Sequence, residues 1–371
     1  MLRKVLALTL LAVLVAASPA AARGPVARAA GFIPNDPGRG SSPGGWAAVQ
    51  WNFAGPWGVN APDAWQNLIT AGRPGARGVV VAVLDTGVAY RKTGRFLKSP
   101  DFHTGKIVRG YDFVSEDRYP YDTNGHGTHV ASTIAESTNN GIGLTGLAYG
   151  VKIMPIRVLD NHGEGDAPII ARGVRFAASH GAQVINLSLE FSPDVRAAEI
   201  PELIDAIDYA HQKGAVVVGA SGNEGYPVVA YPAKATPVIS VGATTEHGCL
   251  SDFSNIGAGL DVVAPGGGTD AALEGEPNCK PDEPPGGDIY QVTLQGKQRR
   301  SFGIPSNYEG TSMAAPHVSA VAAMVIASGV LGSKPTPRQV KLQIERTARD
   351  LGPAGYDKRY GFGLIDAAAA T

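Results

Sequence analysis

At 371 residues the chain is long enough for one large α/β domain or two small ones. Hydrophobic residues make up 44% and charged residues 18%, with 48 glycines, which indicates a globular chain with a sizeable core and many tight turns. The formal net charge of −1 gives no electrostatic reason to expect nucleic acid or an anionic membrane as a partner.

In chain order, Arg3 and Lys4 precede an apolar run over residues 5–17 and the small residues Ala20-Ala21-Ala22. That is the pattern of a secretory signal ending in a cleavage site, and the run is too short to span a bilayer comfortably. The expectation is a secreted, extracellular protein with no membrane anchor in its mature form. Residues 23–48 are rich in Gly, Pro, Ala and Arg with little periodicity. They are expected to be an irregular extension or short pro-segment, extended or disordered, ahead of a folded domain over 49–371. The only two cysteines are Cys249 and Cys279. In an exported chain they are expected to pair.

From Gly78 the run Val79-Val80-Val81-Ala82-Val83-Leu84 ends on Asp85-Thr86-Gly87, a fully buried strand with an aspartate at its carboxyl end. Similar short runs recur at 151–159, 184–189, 215–220, 238–242 and 260–264. Helix-like segments lie between several of them, at 126–136, 167–180 and 200–213. This alternation predicts an α/β fold, a mostly parallel twisted sheet with helices on both faces. In such sheets, sites gather beyond the carboxyl ends of the strands, where Asp85, Ser188 and Asn223 all fall.

Three stretches break local expectations. In Asn124-Gly125-His126-Gly127-Thr128-His129-Val130, glycines flank His126 at a helix start and free its ring to point outward. His129 stands at helical spacing from it, but no Glu completes a metalloprotease pattern. Ala220-Ser221-Gly222-Asn223-Glu224-Gly225 is a Gly-rich turn after a buried strand, where an Asn alone would simply tolerate a left-handed conformation. Gly310-Thr311-Ser312-Met313-Ala314-Ala315-Pro316-His317-Val318 opens a long apolar helix reaching to about residue 328. Ser312 there lies at the positive end of the helix dipole, and Pro316 is expected to kink or strain the first turns.

Together Asp85, His126 and Ser312 supply an activated hydroxyl nucleophile. Ser312 attacks, His126 relays the proton, and Asp85 holds the imidazole tautomer. Asn223 adds an amide donor for the oxyanion beside the Ser312 N–H. The order Asp, His, Ser excludes the α/β-hydrolase arrangement, whose serine sits in a Gly-x-Ser-x-Gly elbow.

These motifs, with Asn186-Leu187-Ser188-Leu189 and Tyr360-Gly361-Phe362-Gly363-Leu364-Ile365-Asp366, appear in the order of the subtilisin-like serine proteases, which the chain resembles from about Trp51 onward. The resemblance implies the subtilisin-like three-layer fold and a monomeric endopeptidase acting on extended polypeptides. In it, Ser188-Leu189-Glu190 would pair with the substrate backbone and form one wall of the pocket for the residue before the scissile bond. Ala220-Ser221-Gly222 would form the other wall, with Gly163-Glu164-Gly165 bordering sites further upstream. It also implies structural calcium, held by the Asn140 side chain, the carbonyls of Thr138, Ile142 and Leu144, and the carboxylate of Asp101. An N-terminal calcium ligand is implied too, but the stretch 55–62 offers none. The competing readings are a catalytically silent peptide-binding protein on the same fold and an esterase.

Three departures stand out. Glu190 occupies a place where the family usually has glycine. With Glu224 it would favour a basic residue before the scissile bond, unless it points to solvent. Residues 266–309 form an enlarged loop or insertion beside the site. The segment 23–48 is too short for a folded pro-domain.

Overall fold

A computed structural model of the protein describes residues 31–371. The expected signal and the first residues of the extension, Met1–Ala30, lie outside the described residues. The strands in chain order begin with β1 (Val80–Asp85), β2 (Tyr90–Thr93), β3 (Phe96–Lys98) and β4 (Tyr111–Asp112). They continue with β5 (Lys152–Arg157), β6 (Val184–Leu187), β7 (Val216–Ala220), β8 (Val238–Thr244) and β9 (Val262–Pro265), then β10 (Thr293–Gln295) and β11 (Ser301–Gly303). The helices are α1 (Trp51–Ala54), α2 (Ala61–Thr70), α3 (His126–Ala135), α4 (Ala167–Ser179), α5 (Pro201–Gln212), α6 (Thr311–Ser328), α7 (Pro337–Thr347) and α8 (Ala367–Ala370).

Seven strands form one sheet in the order β4-β5-β1-β6-β7-β8-β9, and every pairing within it is parallel. The chain order reverses around β1, whose neighbours are β5 and β6, so a crevice opens above the end of β1 and hence above Asp85. Alternation along β1 sorts the two cores. Val81 and Val83 face the layer containing α3 and α6, whereas Ala82 and Leu84 face the layer of α4 and α5. Both cores are closed to water, which is why these strands are apolar throughout rather than alternating. The α/β fold with helices on both faces is thus the one the sequence pattern indicates.

Cys249 and Cys279 are joined as a disulfide across 30 residues. They tie the start of the insertion to the body below it, where Leu250, Leu260, Tyr360 and Leu364 form a third apolar cluster. The rest of the insertion makes the β10–β11 hairpin and returns along α3 toward Ser312.

One expected boundary needs correction. The described part of the extension, residues 31–48, is irregular but packed into the domain. Trp46 is 0% exposed, meets Trp65 edge-on at 5.4 Å, and donates from Nε1 to Pro34 O at 3.0 Å. Asp36 is also buried. A run of Gly and Pro hides this from periodicity, because the segment is anchored by scattered contacts of Phe32, Asp36, Arg39 and Trp46 and ends only in a single 3-10 turn over Gly45–Ala48.

Candidate active site

Each central side chain is delivered by an element end. Asp85 is the last residue of β1, and its Oδ1 accepts from its neighbour Thr86 N at 2.7 Å. His126 opens α3. Gly125 before it has φ of 108°, and a Cβ on Gly127 would come within 2.2 Å of Gly87 O, so both glycines are required for the helix to start this close to the β1 end. His126 Nδ1 lies 2.8 Å from Asp85 Oδ1 and 3.0 Å from Oδ2, with Asp85 fully buried and the imidazole 27% exposed. Burial alone would lower the His126 pKa. The Asp85 carboxylate, with Asp122 and Glu190 behind it, more than offsets this and holds it above its ordinary value.

Asp122 is a positioning residue that sequence reasoning missed. Its Oδ1 accepts from Thr86 Oγ1, Asn124 N and Gly125 N, and its Oδ2 from Thr128 N and Thr128 Oγ1, at 2.6–3.0 Å. One buried carboxylate therefore fixes both the loop after β1 and the start of α3. Desolvation pushes its pKa up despite these donors. Only its place just before the His126 motif could have drawn attention to it.

Ser312 is the second residue of α6. The helix continues through Pro316, and the expected kink has another resolution. A residue at 316 would normally donate its N–H to Ser312 O. With proline there, that carbonyl accepts instead from Ser188 Oγ at 2.8 Å. In return Ser312 Oγ donates to Ser188 O at 3.3 Å. Asn186 extends the clasp, with Nδ2 donating to Ser188 Oγ at 2.9 Å and Oδ1 accepting from Ser319 Oγ at 2.7 Å. The proline thus frees an acceptor that docks the strand edge after β6 onto α6.

His126, Ser312, Ser188, Leu189, Glu190, Gly163 and Gly165 line one cavity of about 530 Å³. A second, of about 680 Å³, is lined by His126, Ser312, Asn223, Met313 and insertion residues including Lys297, Arg299 and Tyr308. The enlarged loop therefore walls the other side of the same centre. Ala220 ends β7 and Ser221 follows it, both buried, with Ser221 Oγ donating to Asn255 O at 3.0 Å and Gly222 N to Thr311 Oγ1 at 3.3 Å. Asn223 Oδ1 accepts from Thr311 N and Oγ1, which turns its Nδ2 toward Glu190. Glu190 does not point to solvent.

His129 turns away from His126. Its ring stacks on Tyr308 at 4.1 Å, Nε2 donates to Ile289 O at 2.8 Å, and burial lowers its pKa to about 3. It belongs to the packing of the insertion.

The suspected calcium residues also converge. Asp101 Oδ1 accepts from Asn140 Nδ2 at 2.7 Å, while Asp101 Oδ2 is buried with no partner. Asn140 Oδ1 accepts from Ile142 N at 2.9 Å. Among the described residues, none of the carbonyls of Thr138, Ile142 and Leu144 accepts a backbone hydrogen bond. Asp36 lies beside this loop, and its carboxylate accepts from Asn139 N at 2.7 Å and Asn140 N at 2.9 Å. Burial, together with Asp36 nearby, raises the Asp101 pKa to about 7. Asp36 and Asp101, both bonded to the loop whose carbonyls at 138, 142 and 144 accept no backbone hydrogen bond, are hard-oxygen groups of the kind Ca²⁺ takes.

A family model described as the Subtilase family matches residues 76–363. Subtilisin Savinase of Lederbergia lenta is 36% identical over 319 residues, covering 85% of this chain and 98% of that protein. The chain belongs to the subtilase family. Thermitase of Thermoactinomyces vulgaris is 35% identical over 301 residues, covering 81% of this subtilase and 90% of that enzyme. The Thermophilic serine proteinase of Bacillus sp. (strain AK1) is 37% identical over 287 residues, and there the match spans 60% of the relative's length. Among solved structures, one titled as proteases from Pseudoalteromonas arctica aligns with a TM-score of 0.71 at 30% identity, over 91% of this chain and 98% of that one. This subtilase is accordingly a subtilisin-like serine endopeptidase.

Proposed function

We propose that this subtilase is a secreted monomer that hydrolyses extended polypeptides through Asp85, His126 and Ser312 and an acyl-enzyme intermediate. The observation that carries this is the 2.8 Å contact of buried Asp85 with His126, whose ring lines one cavity together with Ser312 at the N-terminus of α6. Asp85 fixes the tautomer with its proton on Nδ1, leaving Nε2 as the base. Ser312 Oγ leaves Ser188 O, passes its proton to Nε2 and attacks the scissile carbonyl. The oxyanion is met by Asn223 Nδ2 and the Ser312 N–H in the first turn of α6, where backbone donors lack intrahelical partners. His126 then returns the proton to the leaving amine, and water repeats the sequence on the ester. The backbone of Ser188-Leu189-Glu190 adds the substrate as a strand, with Ala220-Ser221-Gly222 opposite and Gly163-Glu164-Gly165 upstream.

Calcium would be held by Asp36, Asp101, Asn140 and the carbonyls of Thr138, Ile142 and Leu144. When bound it supplies structural cross-linking of the N-terminal segment to the loop after α3, and no chemical step. Incubating the protein with casein and with a short-chain ester tests the reading. Casein cleavage is expected. Ester hydrolysis alone would favour an esterase, and neither activity would favour a silent binding protein.

A further inference from the structure

Glu190 is the residue that sets this site apart from the family pattern. Both of its carboxylate oxygens accept from Asn223 Nδ2, each at 3.0 Å. The same nitrogen is the side-chain donor assigned above to the oxyanion. Thr311 grips Asn223 Oδ1 from behind, through its N–H at 2.8 Å and its Oγ1 at 3.1 Å, which holds the amide plane, and both Glu190 oxygens already sit at hydrogen-bond distance from the nitrogen that carries its two N–H bonds. A carboxylate that occupies this amino group with both oxygens must give up at least one of those contacts to an oxyanion, and the two anions repel each other as well.

The carboxylate has no cationic partner. Among the described residues, no lysine or arginine forms an ion pair with Glu190 or with Glu224. Burial, opposed by the Asn223 hydrogen bond and reinforced by Glu224, raises the Glu190 pKa to about 7. Glu224 is exposed in the turn after β7. A Cβ on Gly222 would come within 3.0 Å of Glu224 Oε2, and Asn255 Nδ2 donates to that oxygen at 2.6 Å. Glu190 in the cavity wall and Glu224 near it are thus both held by amides, with no lysine or arginine on either.

We propose that Glu190 is a substrate-released latch on the oxyanion donor, freed when a lysine or arginine side chain before the scissile bond draws its carboxylate away from Asn223. The inference rests on the endopeptidase reading above and names its preferred substrate class. An ammonium or guanidinium in this half-buried pocket is a stronger partner for the carboxylate than a neutral amide. An apolar side chain offers it nothing, so Glu190 stays on Asn223 and the oxyanion must displace it. Because the Asn223 amide is needed only as the oxyanion develops, selection appears in kcat rather than in KM.

The test uses peptides identical except for Arg, Lys or Leu before the scissile bond, cut by the wild type, Glu190→Gly and Glu190→Gln. The wild type should favour Arg and Lys over Leu by about tenfold or more in kcat/KM, mostly through kcat, the scale of one hydrogen bond to a charged group. Glu190→Gly removes both the latch and the charge, so kcat on the Leu peptide should rise while the basic preference collapses. Glu190→Gln keeps a carbonyl acceptor for Asn223 without the charge. It should lose the basic preference yet remain slow on Leu. A fluorophosphonate that labels Ser312 in all three proteins shows that the nucleophile is intact in each. An unchanged Arg-to-Leu ratio in Glu190→Gly would overturn the latch, and so would Gly and Gln variants that behave alike on Leu. A wild type that is labelled but cuts none of the peptides or casein would overturn the endopeptidase reading and the latch with it.

Discussion

Replacing Trp46 with alanine tests whether the N-terminal segment is part of the folded domain. Trp46 is 0% exposed, packs edge-on against Trp65, and uses its indole N–H on Pro34 O. Truncating a buried tryptophan costs about 3–5 kcal/mol, including the cavity it leaves. For roughly 340 ordered residues at about 2.1 cal/mol/K each, the unfolding entropy is near 0.7 kcal/mol/K, so the apparent melting temperature should fall by about 4–7 °C. The melt is best followed by circular dichroism on protein whose serine is blocked, so that self-digestion does not intervene. A chain starting at Ala47 should lose at least as much, since Asp36 goes with Trp46. A shift within about 1 °C for both would refute the argument and restore 31–48 to a dispensable extension.

Asn223→Ala should lower kcat by about 10²–10³ with KM nearly unchanged, a magnitude that comes from the oxyanion amide of subtilisin itself; raised KM at unchanged kcat would sink the assignment. The rate should rise with pH through an ionisation above the ordinary histidine value of 6.5, because only neutral His126 accepts the proton and Asp85 outweighs burial in holding its pKa up. Asp85→Asn should shift that limb to lower pH, and an acid limb well below 6.5 in the wild type would contradict the Asp85 contact. Chelation should lower the melting temperature and speed self-digestion, a bound ion at a hundredfold excess over its Kd contributing about 2.7 kcal/mol. Asp36→Ala and Asp101→Ala should each remove the response to chelator, and identical wild-type melts with and without it would remove calcium.

The parallel sheet and the helices on its faces were legible because Val79 to Leu84 and the runs like it are buried on both sides, which leaves an uninterrupted apolar signature. Asp85, His126 and Ser312 were legible because each sits in a short motif with a required glycine, Gly87 and Gly127 by close backbone approach and Gly310 by its φ of 142°. Other features depend on contacts distant in sequence. Asp122 carries no local pattern, and its role comes from five donors that folding brings to it. Asp36 reaches the loop around Asn140 in a segment held by Trp46 and by contacts of Asn35 and Gly38 with that same loop, none of which the sequence shows. The clasp between Ser188 and Ser312 could not be inferred from Pro316 alone, since the sequence shows the missing donor and not its replacement. Glu190 was visible as a departure, but its attachment to Asn223 was not.

The central claim is that Ser312 is the nucleophile activated by His126 and Asp85. Labelling with a fluorophosphonate, followed by peptide mapping, tests it most directly. The wild type should carry the label on Ser312, and Ser312→Ala should take up none while losing casein cleavage, down to at most the 10³–10⁴-fold residual over water that binding and the oxyanion hole give. Label on any other residue, or casein cleavage by Ser312→Ala at the wild-type rate, would contradict it.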